Sequence, residues 1–244
     1  MPEKAKGPSL DFVLGNHDIT ALARCYRERG SVRIRNFLAD PIPLSDHLHG
    51  RTDWRQVLNA GDKVYELDAD VRAQMDAERV AALDAAVYSG ATHGFQFRYE
   101  TIRTPDAEAE RAECGDLLNR FALWLSQGEA RNFLRRITGE DRIDFADAQA
   151  TRFSGGDFLT GHDDLVEGKS RHAAYVCGLT PFWRLEWGGL LLFHGADGGE
   201  ARALSPEFNV LDIFAVPVPH SVSLVSPAAG KKRVSITGWL RSRP

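Results

Sequence analysis

The chain has 244 residues, a formal net charge of −4 and a pI near 6.1. That length suits a single structural domain over residues 1–244, and the mildly acidic balance argues against a general nucleic-acid or membrane-surface binder. No window approaches the roughly 18 uncharged apolar residues of a spanning helix, and Met1–Gly7 is not followed by the apolar stretch of a signal peptide.

Three widely spaced cysteines, Cys25, Cys114 and Cys177, suit reduced thiols better than a disulfide framework. Cys177, on an expected core strand, reads as packing. The expected location is cytoplasmic. The oligomeric state is not legible.

In chain order, Asp18–Arg29 reads as a helix: Asp18 caps it, Ile19, Leu22, Ala23 and Tyr26 recur at helical spacing, and Gly30 stops it. Ser31–Phe37 alternates as a short strand. Asp68–Ala86 and Glu108–Ile137 read as helices, the second splitting near Ser126-Gln127-Gly128. The stripe Leu117, Leu118, Phe121, Leu123 and Trp124 is expected to pack into a core.

Between these helices, Gly94–Thr101 alternates Phe95, Phe97 and Tyr99 against Gln96, Arg98 and Glu100. The reading is a half-buried strand with its charges toward solvent, outside the catalytic set. From Phe145 onward, strands and Gly/Pro turns dominate.

His162-Asp163-Asp164 and, far downstream, His220 in Val218-Pro219-His220-Ser221 supply two imidazoles and a carboxylate. Such a trio occupies one face of an octahedral ferrous ion and leaves three positions open, which points to non-haem Fe(II) chemistry. On a regular strand His162 and Asp164 share a face and Asp163 points away, so Asp164 is the expected ligand.

Shortly after His220, Arg233, Ser235, Thr237 and Trp239 alternate with Val234, Ile236, Gly238 and Leu240. The first set has the makings of a carboxylate-binding face, because a planar guanidinium grips a carboxylate with two parallel hydrogen bonds and nearby hydroxyls add to the grip. An ordinary barrel strand whose arginine pairs with a neighbouring acid would show the same pattern.

Phe153-Ser154-Gly155-Gly156-Asp157-Phe158-Leu159-Thr160-Gly161-His162-Asp163-Asp164, then Arg171–Val176, Trp183–Leu192, Pro219-His220 and Arg233–Trp239 together resemble the prolyl 4-hydroxylase branch of the Fe(II)/2-oxoglutarate oxygenases. The Gly-Asp-Phe-Leu and Trp-Gly-Gly pieces are closest to the yeast-type ribosomal prolyl hydroxylases. The resemblance implies an α+β chain with a mainly β, double-stranded β-helix (jelly-roll) core in residues 145–244. Residues 1–144 would give helical support and substrate-side elements, with Arg98 or Tyr99 at the substrate entrance as the alternative to the solvent-facing reading of that strand.

It further implies iron held by His162, Asp164 and His220, with 2-oxoglutarate bound by Arg233 with help from Ser235 and Thr237, and Trp239 beside it. The implied reaction uses O2, with ascorbate as reductant, and hydroxylates a C–H bond of a prolyl residue in a protein or peptide, releasing succinate and CO2. The same fold and metal trio also serve small-molecule substrates.

Two positions depart from that pattern: Phe153 and Gly178 stand where the family carries tyrosines. A catalytically silent sensing or interaction module, and a cupin-like metalloprotein that does not use 2-oxoglutarate, therefore stay open. Among other histidines, His194 at a strand end is a rival ligand, His172 reads as outward or hydrogen-bonded, and His47 and His49 lack a supporting constellation.

Overall fold

The computed structural model describes residues 12–243. Their strands are β1 (Ser31–Arg35), β2 (Arg55–Ala60), β3 (Lys63–Leu67), β4 (Phe97–Arg103), β5 (Phe145–Ala146), β6 (Gln149–Phe153), β7 (Phe158–His162), β8 (Arg171–Leu179), β9 (Leu191–His194), β10 (Ala201–Leu204), β11 (Phe208–Ala215), β12 (His220–Val222) and β13 (Arg233–Arg241). The helices are α1 (Ile19–Arg29), α2 (Ile42–Gly50), α3 (Ala69–Ala73), α4 (Ala77–Ala91), α5 (Glu108–Cys114), α6 (Leu117–Leu125) and α7 (Gly128–Thr138).

All thirteen strands belong to one antiparallel sheet whose main path runs β1-β11-β8-β13-β6-β4-β7-β12-β9-β10, curling into a half-barrel. The jelly-roll core expected for residues 145–244 is consistent with this arrangement.

Alternation along β13 divides the molecule. Val234, Ile236 and Leu240 join Ile34, Ala150, Cys177, Leu211 and Ile213 in a core shared with Phe37, Leu48, Phe121, Leu125 and Leu134. These apolar side chains press the outer face of the sheet against α2, α6 and α7. Each fully buried aliphatic or aromatic residue contributes roughly 1.5–3 kcal/mol. The opposite face of β13, beginning with Arg233, is left for the interior of the half-barrel.

The expected α1 holds in detail. Asp18 Oδ1 accepts from Ala21 N at 3.0 Å, and Gly30 takes a left-handed cap with φ 65°. Two helical stretches break more often than the periodicity suggested. Residues 68–86 divide before Asp76, whose side chain caps α4 by accepting from Arg79 N at 2.8 Å. Residues 108–137 divide at Gly115-Asp116 as well as at Ser126–Gly128; Gly115 closes α5 with φ 66° and Asp116 caps α6 by accepting from Asn119 N at 2.8 Å. Cap residues outweigh apolar periodicity when a Gly-Asp pair interrupts a run.

No helix among the described residues is long and apolar enough to cross a membrane.

Candidate active site

β7 ends at His162 and β12 begins at His220, and the two histidines face each other in antiparallel register with ring centroids 4.1 Å apart. Asp164 closes the group: Oδ1 lies 3.5 Å from His162 Nε2, and Oδ2 lies 3.4 Å from His220 Nε2. The strand argument for Asp164 needs correction, because β7 stops at His162 and Asp164 adopts φ 65°, a left-handed turn conformation. That turn, stabilised by Leu165 N donating to Asp163 Oδ1 at 3.0 Å, sends Asp163 outward and Asp164 toward the histidines.

The imidazoles are oriented by their own backbone. His162 Nδ1 lies 3.0 Å from Thr160 O, and His220 Nδ1 lies 2.8 Å from Val218 O. A carbonyl only accepts, so each Nδ1 carries a proton and each Nε2 faces Asp164. Burial, with His162 alongside, pushes the His220 imidazole below its usual range and keeps it neutral.

This donor set fits a divalent ion. Ligand atoms about 2.1 Å from one metal lie about 3–3.5 Å apart at octahedral to tetrahedral angles, close to the spacings found here. Among the described residues this is the one cluster of three or more such side chains.

The three open into a cavity of about 200 Å³ lined by Arg233, Thr237 and Trp239. Arg233 is 4% exposed, sits 5.0 Å from the Phe153 ring, and its guanidinium has no hydrogen bond or ion pair among the described residues. Asp212, the acid whose charge acts on it, is already bound through both oxygens by Arg33, at 2.7 and 2.8 Å. Burial pushes the Arg233 guanidinium down to about 10, which still leaves it cationic at neutral pH. A buried cation without a counterion is costly unless a ligand completes it.

Ser235 does not line this cavity. Its hydroxyl lies 2.9 Å from Thr151 Oγ1, and Thr151 is the residue that lines it.

The two departures have physical settings. Phe153 is stacked under Tyr99, with centroids 5.1 Å apart and planes at 22°, so a phenol enters the cavity from β4 instead of β6. Gly178 admits no side chain, because a Cβ there would lie 2.4 Å from Glu207 O and 2.9 Å from Val210 Cγ2.

The expectation for β4 is overturned. Arg98 and Glu100 are 5% and 3% exposed. Arg98 reaches Asp157 at 3.0 Å and also bonds Asp84, while Glu100 is held by Arg72 at 2.5 Å and Arg152 at 2.6 Å. The opposite face puts Phe95, Phe97 and Tyr99 on the cavity wall. The alternation was the available signal for that wall.

The rival histidines lie elsewhere. His194 Nε2 is 2.8 Å from Ser221 Oγ, and His172 Nε2 is 2.6 Å from Ser242 Oγ. His49 pairs with Leu179 O and His47 with Arg51.

Residues 148–241 match the family model of the 2OG-Fe(II) oxygenase superfamily. The chain is 35% identical over 116 residues to the prolyl 3-hydroxylase OGFOD1 of Xenopus laevis, covering 45% of this chain and 22% of that protein. It is 29% identical over 136 residues to the prolyl 3-hydroxylase sudestada1 of Drosophila melanogaster, covering 50% and 24%. The chain thus spans under a quarter of the length of these curated relatives.

In fold it is similar to a Pseudomonas putida prolyl-4-hydroxylase, with TM-score 0.53, 19% identity and coverage of 93% and 100%. It is also similar to a Trichoplax adhaerens prolyl hydroxylase solved with a hypoxia inducible factor peptide, with TM-score 0.57, 15% identity and coverage of 92% and 89%. The family implies Fe(II), 2-oxoglutarate and O2, for which the His-Asp-His cluster provides a site. The matched segment, residues 148–241, is thus similar to the 2OG-Fe(II) oxygenase superfamily, and the relatives it resembles are prolyl hydroxylases.

Proposed function

We propose that the chain is an Fe(II)- and 2-oxoglutarate-dependent dioxygenase that hydroxylates a prolyl residue of a peptide or protein. The observation that carries the reading is the unpaired, buried Arg233 in the same cavity as His162, Asp164 and His220. The activity is that of the similar prolyl 3-hydroxylases, transferred to this chain as a proposal.

His162 Nε2, Asp164 and His220 Nε2 would hold the metal. A ferrous ion there supplies the chemistry that couples decarboxylation of 2-oxoglutarate, giving succinate and CO2, to insertion of an oxygen atom into a C–H bond. Arg233 binds the far carboxylate of 2-oxoglutarate through its fork of donors, with Thr237 on the same wall. Trp239, Phe97 and Leu159 exclude water and give the cavity an apolar lining suited to a prolyl ring. Ascorbate serves as reductant.

The test is succinate release from 2-oxoglutarate with Fe(II), ascorbate and a proline-containing peptide, together with a mass gain of one oxygen on the peptide. Oxidation that depends on 2-oxoglutarate and is abolished in Asp164→Ala supports the reading. No succinate release with iron bound would favour the silent or cupin-like alternatives.

A further inference from the structure

Beside the metal cavity lies a second recess of about 300 Å³, and the two share Tyr99, Gln149, Thr237 and Trp239 along their common wall. The rest of the recess is charged, with Arg103, Lys169, Arg171 and Arg241 facing Asp106 and Asp147.

The cations outnumber their partners. Asp147 is bound by Arg241 Nη1, 3.0 Å from each oxygen. Among the described residues, the one ion-pair partner of Arg103 is the exposed Glu66, at 3.7 Å. Lys169 has no side-chain ion pair among the described residues, since its contact is through its carbonyl to Arg241. Arg171 donates to a backbone carbonyl, and its buried Nε has no partner.

The metal cavity itself has an exposed apolar residue on its wall: Phe95 is 50% exposed and its ring lies 5.6 Å from that of His162. A ligand that spans the two meets an apolar wall in the metal cavity and an excess of positive charge in the recess.

We propose that the recess is a docking subsite for an aspartate or glutamate side chain of the substrate peptide, within a few residues of the oxidised proline. The inference rests on the peptide hydroxylase reading above and adds the charge class of its substrate. A carboxylate there accepts charge-assisted hydrogen bonds from Arg103 or Lys169, with the Arg171 guanidinium adding positive charge to the wall. It fills the role that acidic motifs fill for arginine clusters in peptide recognition.

The test is fluorescence anisotropy under nitrogen, with Fe(II) and 2-oxoglutarate present. It uses two labelled proline peptides that differ only in glutamate against glutamine flanking the proline. The glutamate peptide is expected to bind about tenfold tighter, an advantage that fades as salt rises from about 50 mM to about 0.5 M. Lys169→Glu and Arg103→Glu, both at exposed positions, are expected to abolish or reverse the preference.

Equal binding of the two peptides, binding of neither, or an unchanged preference in both variants overturns the proposal. So does displacement of the labelled peptide by millimolar glutarate as effective as by unlabelled glutamate peptide, which would mark a site for free carboxylates. The titration needs no turnover. A protein that prefers the acidic peptide yet oxidises no peptide in air supports the subsite while rejecting the hydroxylase reading.

Discussion

Arg171 ties Asp164 to Trp239. Its Nη1 donates to the Asp164 carbonyl at 2.8 Å while its guanidinium carbon lies 3.6 Å from the centre of the Trp239 ring. The contact fixes the backbone of a metal-site residue held at φ 65°, a conformation uncommon for a residue other than glycine.

Arg171→Ala is therefore expected to weaken Fe(II) binding about tenfold without unfolding the chain, the scale on which groups that orient metal ligands act. Anaerobic iron titration checks it, with circular dichroism as the fold control. An unchanged iron affinity would show that the Asp164 turn holds itself.

Gly178→Ala is expected to cost about 1–3 kcal/mol, because the added methyl meets the Glu207 carbonyl oxygen at 2.4 Å and backbone must move. Urea midpoints of the two proteins measure this. Equal midpoints would mean the 205–210 segment yields freely, and that the glycine is there for some reason other than packing.

Arg98→Ala is expected to destabilise the fold by about 3–5 kcal/mol, since it strands Asp157, which is 3% exposed. Asp157 also accepts from Ser154 N at 2.8 Å, so the turn that launches β7 toward His162 should loosen too. Thermal melts test the first effect and hydrogen exchange at residues 154–162 the second. Wild-type stability would remove the network from the account.

Glu140 gives a pH dependence of defined sign. The hydrogen bond from Arg142, aided by the Arg142 backbone N–H and by His172, holds its carboxyl down to about 2. A depressed folded-state value contributes stability that is present above the ordinary carboxylate range and is lost as pH falls toward about 2. Glu140→Gln should lower the urea midpoint at pH 7 and lower it progressively less on acidification below about pH 4.5. A constant difference across that range contradicts the assignment.

How much of this was legible in the sequence depended on the reach of each interaction. The metal trio was readable from its residue types and from the Arg233 strand that follows His220, where alternation placed Arg233, Thr237 and Trp239 correctly on the cavity side but Ser235 wrongly; α1 was readable because its cap and stop lie at its ends. The helix breaks at Asp76 and Gly115-Asp116 were present as cap residues but were outweighed by continuing apolar periodicity. Arg98 and Glu100 read as solvent-facing because the partners that make their burial tolerable lie on other elements, 14 and 28 positions away for Asp84 and Arg72 and more than fifty for Asp157 and Arg152. Tyr99, one of the two residues the sequence offered for the substrate entrance, does line the cavity. The αL turn at Asp164 has no local signature beyond the aspartates themselves, and regular alternation reached the right residue through an incorrect conformation.

The central claim, that three side chains hold iron and Arg233 anchors 2-oxoglutarate beside it, is tested most directly by titrating Fe(II)-loaded protein with 2-oxoglutarate under nitrogen and following the visible charge-transfer absorption of the chelate. The account predicts saturable absorption in the wild type, its loss in Asp164→Ala, and an affinity about 10- to 100-fold weaker in Arg233→Ala, as expected for removing hydrogen bonds from a charged group. Absence of the band in the wild type, or an Arg233→Ala affinity equal to wild type, would contradict it.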